Sequence, residues 1–334
     1  MSSNQLKNNQ QQENPQENPM VPIVPMAPPG FKSGFVAIIG RPNVGKSTIM
    51  NQLVGEKIAI TSPVAQTTRN RLRGILTTDK AQLIFVDTPG IHKPHHQLGK
   101  VLVQNAKRAI NGVDAVLLVV DSSTPAGKGD RFIVELLKHS QTPIILGLNK
   151  SDLQPENTQS TQSTQSTGSI VESYTHISQE RNWPMVQFSA LTKNGLPLLQ
   201  ELLISNLECG PYYYPPELVT DQPERFIISE LIREQIILHT REEIPHSVAI
   251  AIEQIEIVKS CTRIIAAINV ERNSQKGILI GKAGIMLKNI GTRSREQIQK
   301  LISGKVYLEL FVKVKPKWRQ STMRLAELGY NLED

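Results

Sequence analysis

The sequence has few of the features of a secreted or membrane-spanning protein. It contains only two cysteines, Cys209 and Cys261, which lie far apart and without metal-ligand spacing. We therefore expect incidental or buried free thiols in a reducing compartment. No run of about 18 apolar residues is present, so no membrane-spanning helix is predicted. The first residues lack a basic segment followed by an apolar core, and they are not rich in arginine. We expect no signal or transit peptide and a cytoplasmic location.

Regular apolar patterning is absent from two tracts of the 334-residue chain. Residues 1–33 are rich in Gln, Asn and Pro, and we predict a disordered tail because they bury too little surface to offset the entropy of ordering. Residues 154–168, QPENTQSTQSTQSTG, interrupt an otherwise folded stretch, and we predict a flexible surface insertion. The rest is long enough for two domains with separate cores.

From residue 34 to residue 207, short apolar runs alternate with helical segments. Nearly continuous apolar runs are typical of parallel strands that helices cover on both faces. We therefore predict an α/β domain with a mostly parallel, doubly wound sheet. The predicted strands are 35–40, 81–87, 114–121, 143–150 and 184–190, and the predicted helices include 97–111, 129–139 and 195–207.

The remainder of the chain has a different pattern. Residues 208–222 are proline-rich and aperiodic, which predicts a linker whose three tyrosines could pack on either domain. Residues 223–334 are predicted to form a smaller α+β domain, with strict alternation in its last strand. Its predicted helices are 223–240, one that follows a glycine loop and ends near 303, and 320–328, and its predicted strands are 248–258, 263–270 and 305–315.

The segment GRPNVGKST, residues 40–48, has the spacing of a phosphate-binding loop between a strand and a helix. Gly40 and Gly45 let backbone N–H groups point at a phosphate, Lys46 adds a cation, and the Ser47 hydroxyl is placed to ligate Mg²⁺. The predicted nucleotide contacts from this loop are Gly40, Asn43, Val44, Gly45, Lys46, Ser47 and Thr48.

Three further motifs at strand ends indicate a guanine nucleotide. In DTPG, residues 87–90, Asp87 can bind Mg²⁺ and the Gly90 N–H can reach a γ-phosphate. In NKSD, residues 149–152, the Asp152 carboxylate can accept two hydrogen bonds that guanine offers and adenine does not. In SAL, residues 189–191, the Ala190 N–H can reach guanine O6. The predicted contacts for GTP and GDP are Asp87, Thr88, Pro89, Gly90, Asn149, Lys150, Asp152, Ser189, Ala190 and Leu191.

Between the phosphate loop and DTPG lies SPVAQTTRNRLRG, residues 62–74. Thr67 or Thr68 is expected to complete the Mg²⁺ shell when the γ-phosphate is present, and we favour Thr68 beside Ser47 and Asp87. Three arginines lie in this segment, Arg69, Arg71 and Arg73. They could serve as a transition-state finger, contact phosphate or RNA, or lie at a solvated edge, and we favour the solvated edge.

No glutamine follows DTPG. The residue there is Ile91, whereas GTPases of the Ras type have a glutamine that orients water. Hydrolysis therefore needs another arrangement, or is slow until a partner supplies one. Either Asn43 helps to hold a K⁺ beside the phosphates, or bound RNA or the ribosome reorders residues 56–70. The candidate catalytic residues are Asn43, Lys46, Thr68 and Gly90.

Over residues 34–330 the sequence resembles the Era family of ribosome-associated GTPases. GRPNVGKST, AQTTR, DTPGIH and NKSD match that family's GTPase motifs. GILIGKAGIMLKNIG, LELFVKVKPKWR and LGY resemble its RNA-binding KH domain, which is of type II. The resemblance implies binding to the 3′ end of small-subunit (16S) rRNA, a role in maturation of the 30S subunit, and peripheral association with the inner or plasma membrane. It also implies a hydrophobic residue in place of the glutamine and stimulation by K⁺.

The sequence departs from the family pattern at two places. The family loop reads Gly-Lys-Gly-Gly, whereas Ala283 occupies the third position here. Since Gly281 and Gly284 remain, we expect the backbone clamp to survive with less flexibility. The insertion at 154–168 is expected to lie away from the phosphates.

The positive charge is concentrated in the predicted RNA-binding region. Residues 259–319 contain 14 basic and three acidic side chains, a balance of +11 against +7 for the whole chain. A loop of the form GxxG at a helix N-terminus can clamp about four nucleotides, and Trp318 with Arg319 either stacks on a base or caps the core. The candidate RNA contacts are Ile280, Gly281, Lys282, Ala283, Gly284, Lys288, Arg295, Lys315, Trp318 and Arg319.

Taken together, the motifs predict a slow, Mg²⁺-dependent, monomeric GTPase whose nucleotide state gates rRNA binding by the KH domain. The alternative is a membrane-associated GTPase switch in which RNA binding is secondary.

Overall fold

The computed structural model of the chain describes residues 24–61, 72–88, 90, 110, 112–154 and 164–318. They form two domains, each built on its own sheet. No helix within these ranges is both long and apolar enough to cross a membrane. The tail up to residue 23, most of the predicted helix 97–111, residues 155–163 of the insertion and the predicted helix 320–328 lie outside the described residues.

The first domain contains a six-stranded sheet in the order β2-β3-β1-β4-β5-β6. Neighbouring strands are parallel except β2, which runs antiparallel to β3 at the edge. Every residue of β3 and β5 is buried, as expected for strands covered on both faces. The strands are β1 (Lys32–Gly40), β2 (Leu72–Thr77), β3 (Ala81–Asp87), β4 (Ala115–Asp121), β5 (Ile144–Asn149) and β6 (Met185–Gln187).

Helices cover both faces of this sheet. Alternate residues of β1 enter two apolar clusters: Val36 and Ile38 pack with one pair of helices, and Ala37 and Ile39 pack with the other pair. The first pair is α1 (Lys46–Val54) and α4 (Leu196–Ser205), and the second pair is α2 (Lys128–Leu137) and α3 (Thr164–Arg181). This confirms the predicted doubly wound α/β architecture.

Two predicted boundaries move and one strand is new. The first strand begins at Lys32, and Phe31 is already buried, so the domain starts inside the predicted tail. Helix α3 begins within the predicted insertion, because apolar residues at 170, 174 and 177 turn one helical face toward the sheet. The sequence pattern did not indicate β2, which lies partly in the motif-bearing segment 62–74.

The linker, residues 208–222, packs against the first domain. Gln82 in β3 is fully buried, and its Oε1 accepts hydrogen bonds from the backbone N–H groups of Tyr213 at 2.8 Å and Tyr214 at 3.0 Å. Its Nε2 donates to the Tyr214 carbonyl at 2.9 Å. The Tyr212 and Tyr213 rings lie against aromatic rings of the first domain, which settles where these tyrosines pack.

Arg73 belongs to the same contact between domain and linker. Its Nη1 lies 2.7 Å from Asp221 Oδ2, and Thr220 Oγ1 donates to the Arg73 carbonyl at 2.7 Å. Because the linker holds the Arg73 guanidinium in an ion pair with Asp221, Arg73 is not available as a transition-state finger. Its role is structural. Arg69 and Arg71 lie outside the described residues.

The second domain has a three-stranded sheet in the order β7-β8-β9, with β8 antiparallel to β7 and parallel to β9. In β9, Val306 and Val312 are buried, whereas Tyr307, Glu309 and Lys313 are exposed, which confirms the predicted alternation. Its elements are α5 (Glu224–His239), α6 (Ile244–Ser247), β7 (Ala249–Val258), β8 (Cys261–Val270), α7 (Asn273–Ile280), α8 (Ile285–Ile298) and β9 (Lys305–Val314). The α+β prediction is confirmed, and α7 is a helix that the sequence pattern did not indicate.

Replacing Gln82 by alanine is expected to lower the free energy of unfolding by about 2–3 kcal/mol, because two backbone N–H groups of the linker lose their acceptor. Urea denaturation followed by circular dichroism measures the change. Gln187→Ala on β6 is the matched control, since that side chain is exposed and its Nε2 donates to the side chain of Gln154 in the first domain, away from the linker. An equal loss in both variants would contradict the anchoring role.

Candidate functional site

The phosphate loop leaves β1 and enters α1 with little room for side chains. Gly45 has φ +99°, and a Cβ placed on it would lie 2.3 Å from Asn149 Nδ2. Asn43 also has a positive φ of 64°. The left-handed conformation and the close approach explain why a glycine precedes Lys46. The amino terminus of α1, where backbone N–H groups have no partner within the helix, faces the space where a phosphate would lie.

Lys46 is buried beneath this loop with 7% of its surface exposed. Its Nζ donates to the carbonyls of Gly40 at 3.2 Å and Arg41 at 2.9 Å. Burial lowers the pKa of Lys46 to about 8, and the negative charge of Asp87 opposes that shift. A bound phosphate would favour the protonated amine in the same way.

The candidate magnesium ligands meet at the end of β3. Ser47 Oγ donates to Asp87 Oδ2 at 2.9 Å, and Asp87 is fully buried. Thr88 Oγ1 donates to the Ile38 carbonyl at 2.8 Å and fixes the turn after the strand. A hydroxyl and a carboxylate are the oxygen donors that Mg²⁺ prefers, so these residues fit the ion. Gly90 is buried, while Thr68 and Pro89 lie outside the described residues.

The base-recognition loops are joined by the buried amide of Asn149. Its Nδ2 donates to the Val44 carbonyl at 2.8 Å, and its Oδ1 accepts the Ala190 N–H at 2.9 Å. The predicted bond from Ala190 to guanine O6 would therefore have to share this donor. Asp152 Oδ1 accepts a hydrogen bond from Ser189 Oγ at 2.5 Å, which aims the carboxylate.

The remaining predicted contacts lie in the loop after β5, in the loop after β6 and in the first turn of α1. Lys150 has φ +68°, and its Nζ lies 2.6 Å from Asp121 Oδ2. Leu191 is 76% exposed, and Thr48 is partly buried at the start of α1. The structure thus brings the described members of all four motifs to one edge of the sheet.

One contact in this site has no sequence signal that we identified. Arg41 in the phosphate loop pairs with the buried carboxylate of Asp130 in α2 at 2.7 Å. A Cβ on the neighbouring Gly129 would lie 2.6 Å from Arg41 Cδ. These residues are far apart along the chain, so only the packing of α2 beside the loop reveals the pair.

The second glycine loop joins α7 to α8. Gly281 has φ +70°, and a Cβ on it would lie 2.7 Å from Met286 Cβ. Ala283 has φ +50°, in the left-handed region, and Gly284 with φ +76° precedes α8. The loop therefore presents backbone at a helix N-terminus, where N–H groups can bind an anion.

The candidate RNA side chains differ in their exposure. Lys282, Lys288 and Arg295 are exposed, whereas Ile280 and Lys315 are partly buried. Trp318 is 1% exposed, and its Nε1 donates to the Ser247 carbonyl at 3.2 Å. The assignment of Trp318 to the RNA surface is therefore wrong, because the ring caps the core. Arg319 lies outside the described residues.

Both cysteines are free thiols. Cys209 is exposed in the linker, and Cys261 is partly buried at the start of β8.

The fold and site define a P-loop GTPase joined to a KH domain. The family profile described as "50S ribosome-binding GTPase" matches residues 35–150, and the KH domain profile matches residues 243–319. The chain is 70% identical over 310 residues to the GTPase Era of Rippkaea orientalis, covering 93% of this chain and 96% of that protein. It is 49% identical to the GTPase Era of Leuconostoc citreum over 312 residues, 92% and 100% of the two chains.

Solved structures agree over both domains. A crystal structure of a single-substitution variant of Aquifex aeolicus Era bound to GDP·AlF₄⁻ has a TM-score of 0.81 at 35% identity, covering 90% of this chain and all of that one. Era in complex with MgGDPNP and nucleotides 1506–1542 of 16S rRNA has a TM-score of 0.80 at 35% identity, with the same coverage. The chain belongs to the Era family of GTPases.

As a member of that family the protein hydrolyses GTP to GDP and phosphate. The phosphate-loop N–H groups and Lys46 are placed to offset the negative charge on the phosphate oxygens as the bond to the leaving GDP breaks. The buried positions of Lys46 and Asp87 exclude bulk water from these charges, which strengthens their electrostatic effect.

The affinity for GDP is expected to fall above pH 8, by about tenfold between pH 7 and pH 9, because the phosphates need the protonated Lys46 and its pKa is about 8. Titration with a fluorescent GDP at several pH values measures the Kd. In Lys46→Arg the guanidinium does not titrate, so its affinity should change only as far as the guanine base itself titrates. Parallel pH profiles for the two proteins would contradict the role of the Lys46 proton.

Proposed function

We propose that this GTPase binds the 3′ end of small-subunit rRNA through Gly281–Gly284 and acts in maturation of the 30S subunit, with the nucleotide state gating RNA binding. The observation that carries the proposal is the second glycine loop, which presents backbone N–H groups at the start of α8 beside exposed basic side chains. A related protein of the same two-domain architecture has been solved with nucleotides 1506–1542 of 16S rRNA. This supports the same RNA as the partner.

The loop suits a sugar–phosphate backbone. Glycine at 281 lets a polymer approach without meeting a side chain, and Lys282 contributes an exposed charge beside it. Lys288 and Arg295 lie seven residues apart on α8, so they share one helical face leading away from the loop. Neutralised phosphates release counterions, so we expect the RNA affinity to fall steeply with salt.

Magnesium is proposed as the metal of the nucleotide site. Ser47 and Asp87 would hold it together with the triphosphate, and Thr68 is the proposed further ligand when the γ-phosphate is bound. The metal supplies charge that neutralises the phosphate oxygens during transfer. A solved relative binds MgGDPNP, which supports this assignment.

Hydrolysis is proposed to be slow unless K⁺ or a bound partner assists. Ile91 takes the place of a water-orienting glutamine, so the chain must gain its activation elsewhere. Asn43 lies exposed in the phosphate loop with a left-handed backbone, a position from which its amide oxygen can share in holding a monovalent cation. We further propose a cytoplasmic monomer.

Gly281→Ala is expected to lower affinity for an RNA of 16S nucleotides 1506–1542 at least about tenfold, because a Cβ would crowd Met286 in a left-handed conformation. Fluorescence anisotropy with GDP and with a non-hydrolysable GTP analogue measures it, and binding should be tighter with the analogue. The matched control is Gly277→Ala in α7, where a Cβ meets nothing within 4 Å.

Three outcomes would overturn the proposal. The first is equal RNA affinity in the two glycine variants. The second is equal RNA affinity in the two nucleotide states. The third is competition by anionic lipid vesicles that matches competition by the RNA, which would favour a membrane switch.

Replacing Na⁺ by K⁺ is expected to raise GTP turnover severalfold, because a cation beside the phosphates acts as an arginine finger does. Phosphate release under multiple turnover measures the rates. Asn43→Ala should retain GDP binding and lose the difference between the two salts. Equal rates for the unaltered protein in the two salts would exclude the potassium hypothesis.

A further inference from the structure

A buried carboxylate connects the two domains. Glu234 lies in α5 of the second domain with 1% of its surface exposed. Its Oε2 lies 2.5 Å from Lys57 Nζ, and its Oε1 accepts the Thr61 N–H at 2.8 Å and the Thr61 hydroxyl at 3.3 Å. Both partners belong to the first domain. Burying a carboxylate is costly unless charge and hydrogen bonds compensate it, so this contact is specific in geometry.

The segment that Glu234 holds is tied to the nucleotide site. Asn51 in α1 accepts hydrogen bonds from the N–H groups of Ile58 at 3.1 Å and Ala59 at 2.8 Å, and donates to the Ala59 carbonyl at 2.7 Å. Helix α1 begins at Lys46, beneath the phosphate loop. A displacement of α1 must therefore be shared with residues 57–61.

The same face of α5 borders a cleft that reaches Asp87, one of the candidate magnesium ligands. Phe226 and Glu230 precede Glu234 by eight and four residues, so the three lie on one helical face. Phe226 and Glu230 line a narrow cleft together with Ile60 and Asp87 of the first domain. Glu230 is itself held by the buried Arg233 through bonds of 2.7 and 2.6 Å.

On its other side α5 packs against α8 and β7 of the RNA-binding domain. Helix α8 starts directly after the loop Gly281–Gly284. One rigid helix therefore contacts the segment that follows α1 and also the helix that carries the RNA loop.

We propose that Glu234 is a positioning residue that couples the nucleotide state of the first domain to RNA binding by the second. The inference rests on the proposed function, since it assigns a residue to the gating stated there. Glu234 transmits movement of residues 57–61 to α5, and α5 carries α8 and its glycine loop. By linkage, RNA bound at the loop changes GTP affinity by the same factor as GTP changes RNA affinity.

The proposal is tested by the ratio of two RNA affinities, measured in two nucleotide states of the same protein. The ratio of the Kd for the 1506–1542 RNA with GDP to the Kd with a non-hydrolysable GTP analogue is expected to exceed about fivefold in the unaltered protein. In Glu234→Gln the ratio is expected to fall to below about a third of that value, because the amide can still accept the Thr61 N–H but no longer carries the charge that holds Lys57. The matched control is Glu224→Gln, the same change at an exposed position of the same helix, which should leave the ratio unchanged.

A second variant separates coupling from stability. Lys57→Met removes the other half of the pair from a side chain that is 34% exposed. It should lower the ratio in the same direction, and the double variant should lower it no further. GDP affinity without RNA should stay within about twofold of the unaltered protein in all of them.

Each outcome is decisive. A ratio near one in the unaltered protein would overturn the proposed gating and the role of Glu234 together. A normal ratio in folded Glu234→Gln, or an equal drop in Glu224→Gln, would overturn only the role of Glu234. If Glu234→Gln does not fold, a normal ratio in Lys57→Met overturns it.

Discussion

The nucleotide site depends on one buried amide, that of Asn149. It bonds at once to the carbonyl of Val44 in the phosphate loop and to the N–H of Ala190 at the end of β6. The backbone carbonyl of Asn149 accepts hydrogen bonds from the Ser122 N–H at 2.9 Å and from the Ser122 hydroxyl at 2.7 Å. Three loops from different strands are thereby held in fixed relation within the chain itself. A ligand that enters such a site does not have to order the loops, which reduces the entropy lost on binding.

The convergence of the nucleotide-binding motifs at one edge of the sheet was predictable from the sequence. In a parallel sheet the carboxyl ends of the strands meet at one edge, so motifs that follow predicted strands must converge there. Local sequence is enough for that step. The Arg41–Asp130 pair could not be predicted, because it depends on how α2 packs beside the loop. Trp318 next to basic residues suggested stacking on RNA, yet the burial of its ring is decided by the tertiary position of α6.

Helix α5 shows a second limit of sequence reasoning. Its pattern indicates an amphipathic helix with charged residues toward solvent, yet Arg233, Glu234 and Gln235 are buried along with the isoleucines on either side. A helix buried nearly all round lies inside a core or between two bodies. The second domain encloses one side of α5, and residues 57–61 with the cleft beside Asp87 enclose the other. The periodicity of a single helix carries no information about another domain that packs on its polar face.

Ala283 is the remaining departure from the family's glycine pattern, and its exposed position explains why the alanine is tolerated. An alanine in the left-handed region costs about 1–2 kcal/mol relative to its preferred conformations. Alanine in place of glycine also removes conformational freedom from the unfolded chain, which offsets about 0.4–1 kcal/mol of that cost. The side chain is exposed, and the close approach in the loop occurs at Gly281, not at residue 283. The loop therefore keeps the glycine that its packing requires, and at 283 it holds an alanine in a conformation that alanine disfavours, at a small net cost.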